Sequence, residues 1–410
     1  MAADACGIFA HKEKLLKDKE YSDELAFKFA LEKGVKPRPN ETKEEIDERG
    51  VFVRQANRFT TPFGNEEGNL KALPNRYGIY WAHGCHWSNR PVIVRDILGL
   101  EDVIYEKHVT HTGETNKYGW GFRDQEGYKD EKTGFHFLSE AYFNVDKDYN
   151  GRATTPTLVD LDKKIAVNND YHRLTNYIEV YFRKYQKTDI DLYPVKYRDV
   201  IDEFNDWLFP TINNGHYRMA FCQSKVAYDE AYDDFFDNIE KLDKRLENNR
   251  FLFGDYITDS DIRLYVTLVR WETSYYRNIG PMKKRITEYK NIWGYVKDLF
   301  SIPEFRRYTF FEFTSDNTSL FRPYAERIAP KVDYDKEWKT DGKRKELSND
   351  KENVYLHTNI DFKEYETKIS ESHWNSLNRK DRDPFNRTIK IDPSINPLKG
   401  LLKNERKRRI

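Results

Sequence analysis

The spacing of apolar and polar positions divides this 410-residue chain into stretches of distinct period. Between Lys225 and Asn248, Tyr228, Tyr232, Phe235, Ile239, Leu242 and Leu246 recur at steps of 4, 3, 4, 3 and 4, which predicts a helix with one buried seam. Residues 11 to 34, rich in Lys, Glu, Leu, Phe and Ala, predict an amphipathic helix ended by Pro37-Arg38-Pro39. Gly78 to Leu98 reads as a short strand, a glycine turn and a helix whose apolar positions are Val92, Ile93, Ile97 and Leu98. Proline is tolerated only in a first helical turn, so Pro91 places the helix start near Ser88, with Ser88 or Asn89 as its cap. From Arg76 to about Lys187 the order is strand, helix, strand, long insertion, strand, strand and helix. The second strand falls at Val103-Ile104-Tyr105, and the last helix begins near Asp170. Residues 111 to 150 look like loop, long enough to be either functional or poorly ordered. Tyr193-Pro194 opens a helical region, where Leu208-Phe209-Pro210 interrupts one helix. There Thr258-Asp259-Ser260-Asp261, with Ile257 and Ile262 as a staple, caps the start of another.

Composition narrows the classes. The chain carries 69 basic and 69 acidic side chains, a balance that recruits neither nucleic acid nor an anionic membrane. Its basic end, Arg406-Lys407-Arg408-Arg409, reads as a solvated terminus or a contact to an acidic neighbour. Cys6, Cys85 and Cys222 are too far apart for a disulfide framework or a zinc site. No apolar run approaches the roughly 18 residues needed to span a bilayer. These features predict a soluble, cytoplasmic protein in a reducing compartment, with no metal.

The candidate chemistry is at Cys85. A thiol at a strand-to-helix junction sits beside amide groups that the first helical turn leaves unpaired, and these favour thiolate. Ser88 stands where a dithiol oxidoreductase carries its second cysteine, so an oxidised Cys85 must be resolved by an external thiol.

Tyr80 to Leu100 resembles the Cys-Pro-Trp-Ala-His-Arg segment of glutathionyl-hydroquinone reductases, the Xi class of omega-like glutathione transferases. Cys85, Trp87 and Arg90 match, while His86 replaces the proline and Asn89 the histidine. Gly50-x-Phe52-x-Arg54 also resembles the family, as do Tyr118-Gly119-Trp120-Gly121-Phe122, Asn213-Asn214-Gly215-His216-Tyr217 and Arg270-Trp271-Glu272-Thr273-Ser274-Tyr275. The resemblance covers roughly Gly50 to Pro330. It implies an α/β plus all-α architecture: an N-terminal thioredoxin-like domain followed by a glutathione-transferase-type helical bundle. The expected division is a 1–72 extension, a 73–190 thioredoxin-like glutathione-binding domain, a 191–330 helical domain and a 331–410 extension.

Carried onto this chain, the resemblance implies that Trp120 packs against bound glutathione and that Thr155, before a cis Pro156, pairs with its peptide backbone. Asn169 and Asp170 take the place of the family's Glu-Ser grip on the γ-glutamyl end, and Tyr217 and Tyr275 wall the aromatic pocket. Leu320 and Pro323-Tyr324 replace residues of a family tail that closes over the hydroquinone. Glutathione is the implied cosubstrate, an aromatic glutathionyl conjugate the implied substrate, and a homodimer through the helical domain the implied assembly. The expected reaction removes glutathione from the conjugate through a Cys85–glutathione mixed disulfide. Two alternatives stay open at this level: a glutaredoxin-like deglutathionylase and a non-enzymatic transferase-fold scaffold.

Overall fold

A computed structural model of the chain describes residues 21–39, 45–54, 56–113, 115–275, 283–311 and 332–358. Chain order runs α1 (Asp23–Lys33), β1 (Tyr77–Trp81), α2 (His86–Ile97), β2 (Tyr105–His108), the short β3 (Thr110–His111) and β4 (Trp120–Gly121), α3 (Ser139–Phe143), β5 (Thr157–Asp160), β6 (Ile165–Asn168) and α4 (Leu174–Tyr181). The central sheet has the order β2-β1-β5-β6, with β1 parallel to β2 and antiparallel to β5. This is the thioredoxin-like domain. Its strands are apolar on both faces: Ile79, Leu158 and Val167 join the core shared with α2, whereas Tyr80, Val159 and Ala166 face a second core.

That second core comes from the insertion, which is not the loop its composition predicts. Trp120, Phe122, Phe135, Leu138, Tyr142 and Tyr149 are all buried. The fully buried Asp130 fastens them to the sheet, accepting from Tyr80 Oη and Tyr105 Oη at 2.8 Å and from Thr133 Oγ1 at 2.6 Å. A two-sided sheet needs a cover on each face, and the insertion supplies one. Two boundaries also move. Val103 and Ile104 are buried in the turn after α2 rather than in the ladder, so the second strand begins at Tyr105. The helix expected near Asp170 begins at Leu174, because Asp170 first closes a turn by accepting from the Arg173 and Leu174 amides.

The helical domain comprises α5 (Arg198–Leu208), a wide turn over Phe209–Asn213 where Pro210 breaks the helix, α6 (Gly215–Phe221), α7 (Lys225–Arg245), α8 (Asp259–Arg270), α9 (Lys290–Phe300), α10 (Pro303–Arg307) and α11 (Tyr334–Trp338). The α7 seam is as expected from Phe235 onward: Phe235, Ile239, Leu242 and Leu246 are buried, with Tyr228 and Tyr232 partly so. The capping box also forms, Asp261 Oδ2 accepting from Thr258 N at 2.8 Å and Thr258 Oγ1 at 2.9 Å. Residues 332–358, placed in an aperiodic extension by sequence, pack into this domain. Trp338 stacks edge-on to Trp293 at 5.3 Å, and the Arg344 guanidinium donates to the carbonyls of Leu246, Asn249, Arg250 and Asn291. Leu320 to Pro330, Cys6 and the basic end lie outside the described residues.

Two expectations follow. Trp338→Ala should lower global unfolding free energy by about 3–5 kcal/mol in denaturant titration, the usual loss for an emptied core tryptophan; a loss within error would place 332–358 outside the cooperative unit. His216, wedged between Phe235 and Trp271, has its pKa pushed by burial from 6.5 down to about 3. The unfolded chain therefore takes up a proton below pH 6.5 that the folded chain refuses, and this contribution to stability is lost as pH falls. His216→Leu should flatten the decline between pH 6.5 and 5 by up to about 1.4 kcal/mol per unit; identical slopes in the two proteins would contradict it.

Candidate active site

Cys85 is the last residue before α2 and has extended backbone (φ −91°, ψ 103°), so the helix starts two residues earlier than Pro91 suggests. Pro91 lies inside the helix, where burial of all twelve α2 residues between the sheet and α8 outweighs the loss of one amide. Neither Ser88 nor Asn89 caps it. Ser88 Oγ instead accepts from Ala82 N at 3.1 Å and donates to Cys85 O at 2.9 Å, which holds the turn carrying the thiol. Cys85 is 2% exposed. Its Sγ lies 3.4 Å from Thr155 O, and the Thr155–Pro156 bond is cis, as the resemblance implies.

The residues around the sulfur are cationic as well as aromatic. Arg90, on the next turn of α2, is 1% exposed; burial brings its pKa down to about 9, partly offset by the negative charges of Asp259 and of Cys85 itself. Arg270, at the end of α8, is likewise lowered by burial and held up by Tyr275 and Cys85. It donates to His83 O at 2.8 Å and Asn89 Oδ1 at 3.1 Å, and Asn89 Nδ2 donates to Tyr308 O at 3.2 Å. The His86 ring meets Thr267 Oγ1 at 3.1 Å, and burial drives its pKa well below 6.5, so it is neutral. The two positions that depart from the family pattern thus tie α2 to the helical domain.

Tyr217 from α6 and Tyr275, which follows α8, are each 1% exposed and bring their hydroxyls to 3.2 Å, with both rings within 6 Å of His86. They share a buried cluster with Cys85, Trp87 and Trp120. Trp120 stacks on His111 at 4.2 Å and lines a cleft of about 270 Å³ that also takes in Lys36, Arg38, Arg152 and Ala153, two residues before Thr155. Asn169 and Asp170 are occupied within the chain. Asn169 Oδ1 accepts from Phe59 N at 3.1 Å, and Asp170 Oδ1 accepts from Asn57 Nδ2 at 3.2 Å and His172 N at 3.0 Å. These bonds lay the 57–61 segment along the edge strand β6. Among the described residues no group of three His, Cys, Asp or Glu side chains is placed to hold a metal ion, and no helix is long and apolar enough to cross a membrane.

One residue packed on the rings of this cluster has no role assigned by the sequence. Arg54, the last position of Gly-x-Phe-x-Arg, sits 5.1 Å from the Trp87 ring and 4.6 Å from the Tyr217 ring, and its Nε donates to Asn214 Oδ1 at 3.0 Å. The motif was the available signal. Its contacts lie 160 positions away along the chain in one case, which no local spacing discloses.

Residues 225–298 match the glutathione S-transferase C-terminal domain family. The glutathionyl-hydroquinone reductase YqjG of Escherichia coli is 32% identical over 263 residues, 62% of this chain and 80% of that protein. The glutathione-bound structure of YqjG covers 72% of this chain and 97% of its own, with 29% identity and a TM-score of 0.61. The Xi glutathione transferase of Phanerochaete chrysosporium, also 29% identical, covers 71% of this chain and 98% of its own with a TM-score of 0.63. With a cysteine at a helix start facing a cis-proline loop, and with relatives covered over most of their length, this chain belongs to the glutathionyl-hydroquinone reductases, the Xi-class enzymes of the glutathione transferase family.

Proposed function

We propose that this enzyme removes glutathione from glutathionyl-hydroquinone-type aromatics through a mixed disulfide on Cys85. The observation that carries the reading is the convergence of two supports on one site: a helix-terminal sulfur flanked by buried guanidiniums, and a pair of tyrosine hydroxyls 3.2 Å apart from the other domain. In the first half-reaction the Cys85 thiolate attacks the thioether sulfur, an S–S bond forms and the C–S bond breaks. The bonding pair stays with the ring carbon, which takes up a proton. Charge that spreads to the ring oxygens is met by Tyr217 and Tyr275. In the second half-reaction a free glutathione thiolate attacks the mixed disulfide, releasing glutathione disulfide and restoring Cys85. The sum converts conjugate plus one glutathione into hydroquinone plus disulfide.

Glutathione is read as lying with its backbone along Thr155 and its chain toward Trp120, where Lys36 and Arg38 lend positive charge to the adjoining cleft. Asn169 and Asp170 would contribute their turn's remaining polar groups at its γ-glutamyl end. Paired tyrosine hydroxyls favour an aromatic substrate over a simple disulfide, which has no ring oxygen for them to hold.

Mass spectrometry after incubation with a glutathionyl-hydroquinone should show a glutathione adduct on Cys85 that clears on adding excess glutathione and is absent in Cys85→Ser. A glutathione disulfide that labels Cys85 while the aromatic conjugate never does would move the reading to a deglutathionylase. Tyr217→Phe and Tyr275→Phe should each lower kcat about a hundredfold, the weak end of what a positioned proton donor supplies, while Cys85 alkylation rates stay as in the parent. Loss of alkylation alongside kcat would show that the tyrosines act on the thiol and not on the ring.

A further inference from the structure

Arg90 and Arg270 interact electrostatically with Cys85, Arg54 lies against the Trp87 and Tyr217 rings of the same buried cluster, and among the described residues none of the three has a carboxylate at ion-pair distance. Arg54 Nη2, Arg90 Nε and Nη2, and Arg270 Nε are buried without a hydrogen-bond partner. The neighbouring Asp259 is already committed to Arg263 at 2.6 Å. The histidines that could add or remove charge, His86, His172 and His216, are all held neutral by burial. Buried cations with unused donors are costly unless an anion completes them. In the pose proposed above the charges of the glutathionyl group lie toward Lys36, Arg38 and the Asn169 turn, so an anion that completes a guanidinium on the tyrosine side would have to come from the third component of the complex, the ring.

Arg54 is placed to receive it. Arg90 is sealed beneath Trp87, and Arg270 is spent on His83 O, Val266 O and Asn89. Arg54 is half-buried, lies against the rings of Trp87 and Tyr217, and uses one nitrogen on Asn214, leaving Nη2 beside the tyrosine wall. Resting on the reaction proposed above, we infer that Arg54 is a specificity-determining residue that selects conjugates whose ring bears an anionic oxygen, either a carboxylate or the phenolate of a phenol acidified by electron-withdrawing substituents. A guanidinium reads either oxygen through a charge-assisted hydrogen bond.

The test compares the full chain with Arg54→Gln and Arg54→Lys on three glutathionyl conjugates: an unsubstituted hydroquinone, a carboxyl-substituted hydroquinone, and one acidified without a carboxylate. Labelling of Cys85 by glutathione disulfide, which has no ring, is followed in parallel. Arg54→Gln should raise KM for one or both anionic conjugates about ten- to hundredfold more than for the unsubstituted one, the worth of a lost hydrogen bond to a charged group, with part of the loss restored by Arg54→Lys. Loss confined to the carboxylated conjugate assigns the carboxylate; loss confined to the acidified phenol assigns the phenolate. Equal effects on all three conjugates overturn the inference. So does slowed labelling by glutathione disulfide, since that would put Arg54 on a glutathione carboxylate. Failure of the parent chain to label Cys85 with any conjugate or disulfide is a different result and overturns the proposed reaction itself.

Discussion

A helix with no solvent-facing side constrains everything around it. All twelve residues of α2 are buried, so neither the amides at its start nor the guanidinium of Arg90 can be satisfied by bulk water. Whatever charge the helix carries must be answered from within, and the answer is local. The Cys85 sulfur sits at the start of the helix, Arg90 and Arg270 interact with it electrostatically, and Asn89 and His86 hand the remaining polar contacts to the helical domain. The groups that answer the buried helix are therefore the same ones that set the electrostatic surroundings of the sulfur. Structure and chemistry draw on one set of charges.

A second consequence is that the site exists only where the two domains meet. Asp259, at the start of α8, accepts from Thr175 Oγ1 at 2.8 Å and Asn176 Nδ2 at 3.2 Å of the thioredoxin-like domain, and from Asn205 Nδ2 at 2.9 Å and Arg263 Nε at 2.6 Å of its own. Burial alone would raise this carboxyl's pKa, but Arg263 and these donors win and hold it below the ordinary value. The hub fixes α8 against α4 and α5. Tyr275, just past the end of α8, then comes to Tyr217 and stands over a helix rooted in the other domain. A chain with the domains apart would keep the cysteine and lose the tyrosine wall.

The sequence disclosed what depends on near neighbours. The strand–turn–helix around Cys85, the α7 seam and the Thr258–Asp261 box are each complete within a few residues or one repeating period, so their physics is written locally. What stayed hidden depended on distant partners. Val103 and Ile104 are β-branched and apolar, yet a turn uses them to fill the core beneath it. The insertion's aromatics show no period because they cover a sheet face at irregular points and are anchored through scattered polar contacts, Asp130 to Tyr80 and Tyr105 and Tyr142 to Thr157 among them. Pro91 broke a local rule that burial of the entire helix overrode. Trp338 and Arg344 sit in a stretch with no pattern, and only distant partners explain their placement: the Trp293, Phe300 and Phe311 rings for one, the carbonyls just past α7 and of Asn291 in α9 for the other. At the site, the Cys85–Thr155 and Tyr217–Tyr275 pairings were legible through family resemblance, while the positions of Arg54 and Arg270 required coordinates.

The departures from the family pattern at His86 and Asn89 bear on how far such a resemblance carries. Replacing a proline and a histidine directly beside a nucleophile would ordinarily argue that the chemistry has been lost. Here each new side chain is buried and each has found a partner in the opposite domain: His86 on Thr267, and Asn89 on both Tyr308 O and Arg270. Asn89 is the more telling, because it accepts from Arg270, a guanidinium that interacts electrostatically with Cys85. Near the cysteine the buried polar atoms without a partner include Arg54 Nη2, Trp87 Nε1, Arg90 Nε and Nη2, Arg270 Nε and His86 Nε2 itself. The substitutions therefore read as a rewiring of the contact between the two domains, through Thr267, Tyr308 and Arg270, around a cysteine that keeps its place at the helix start.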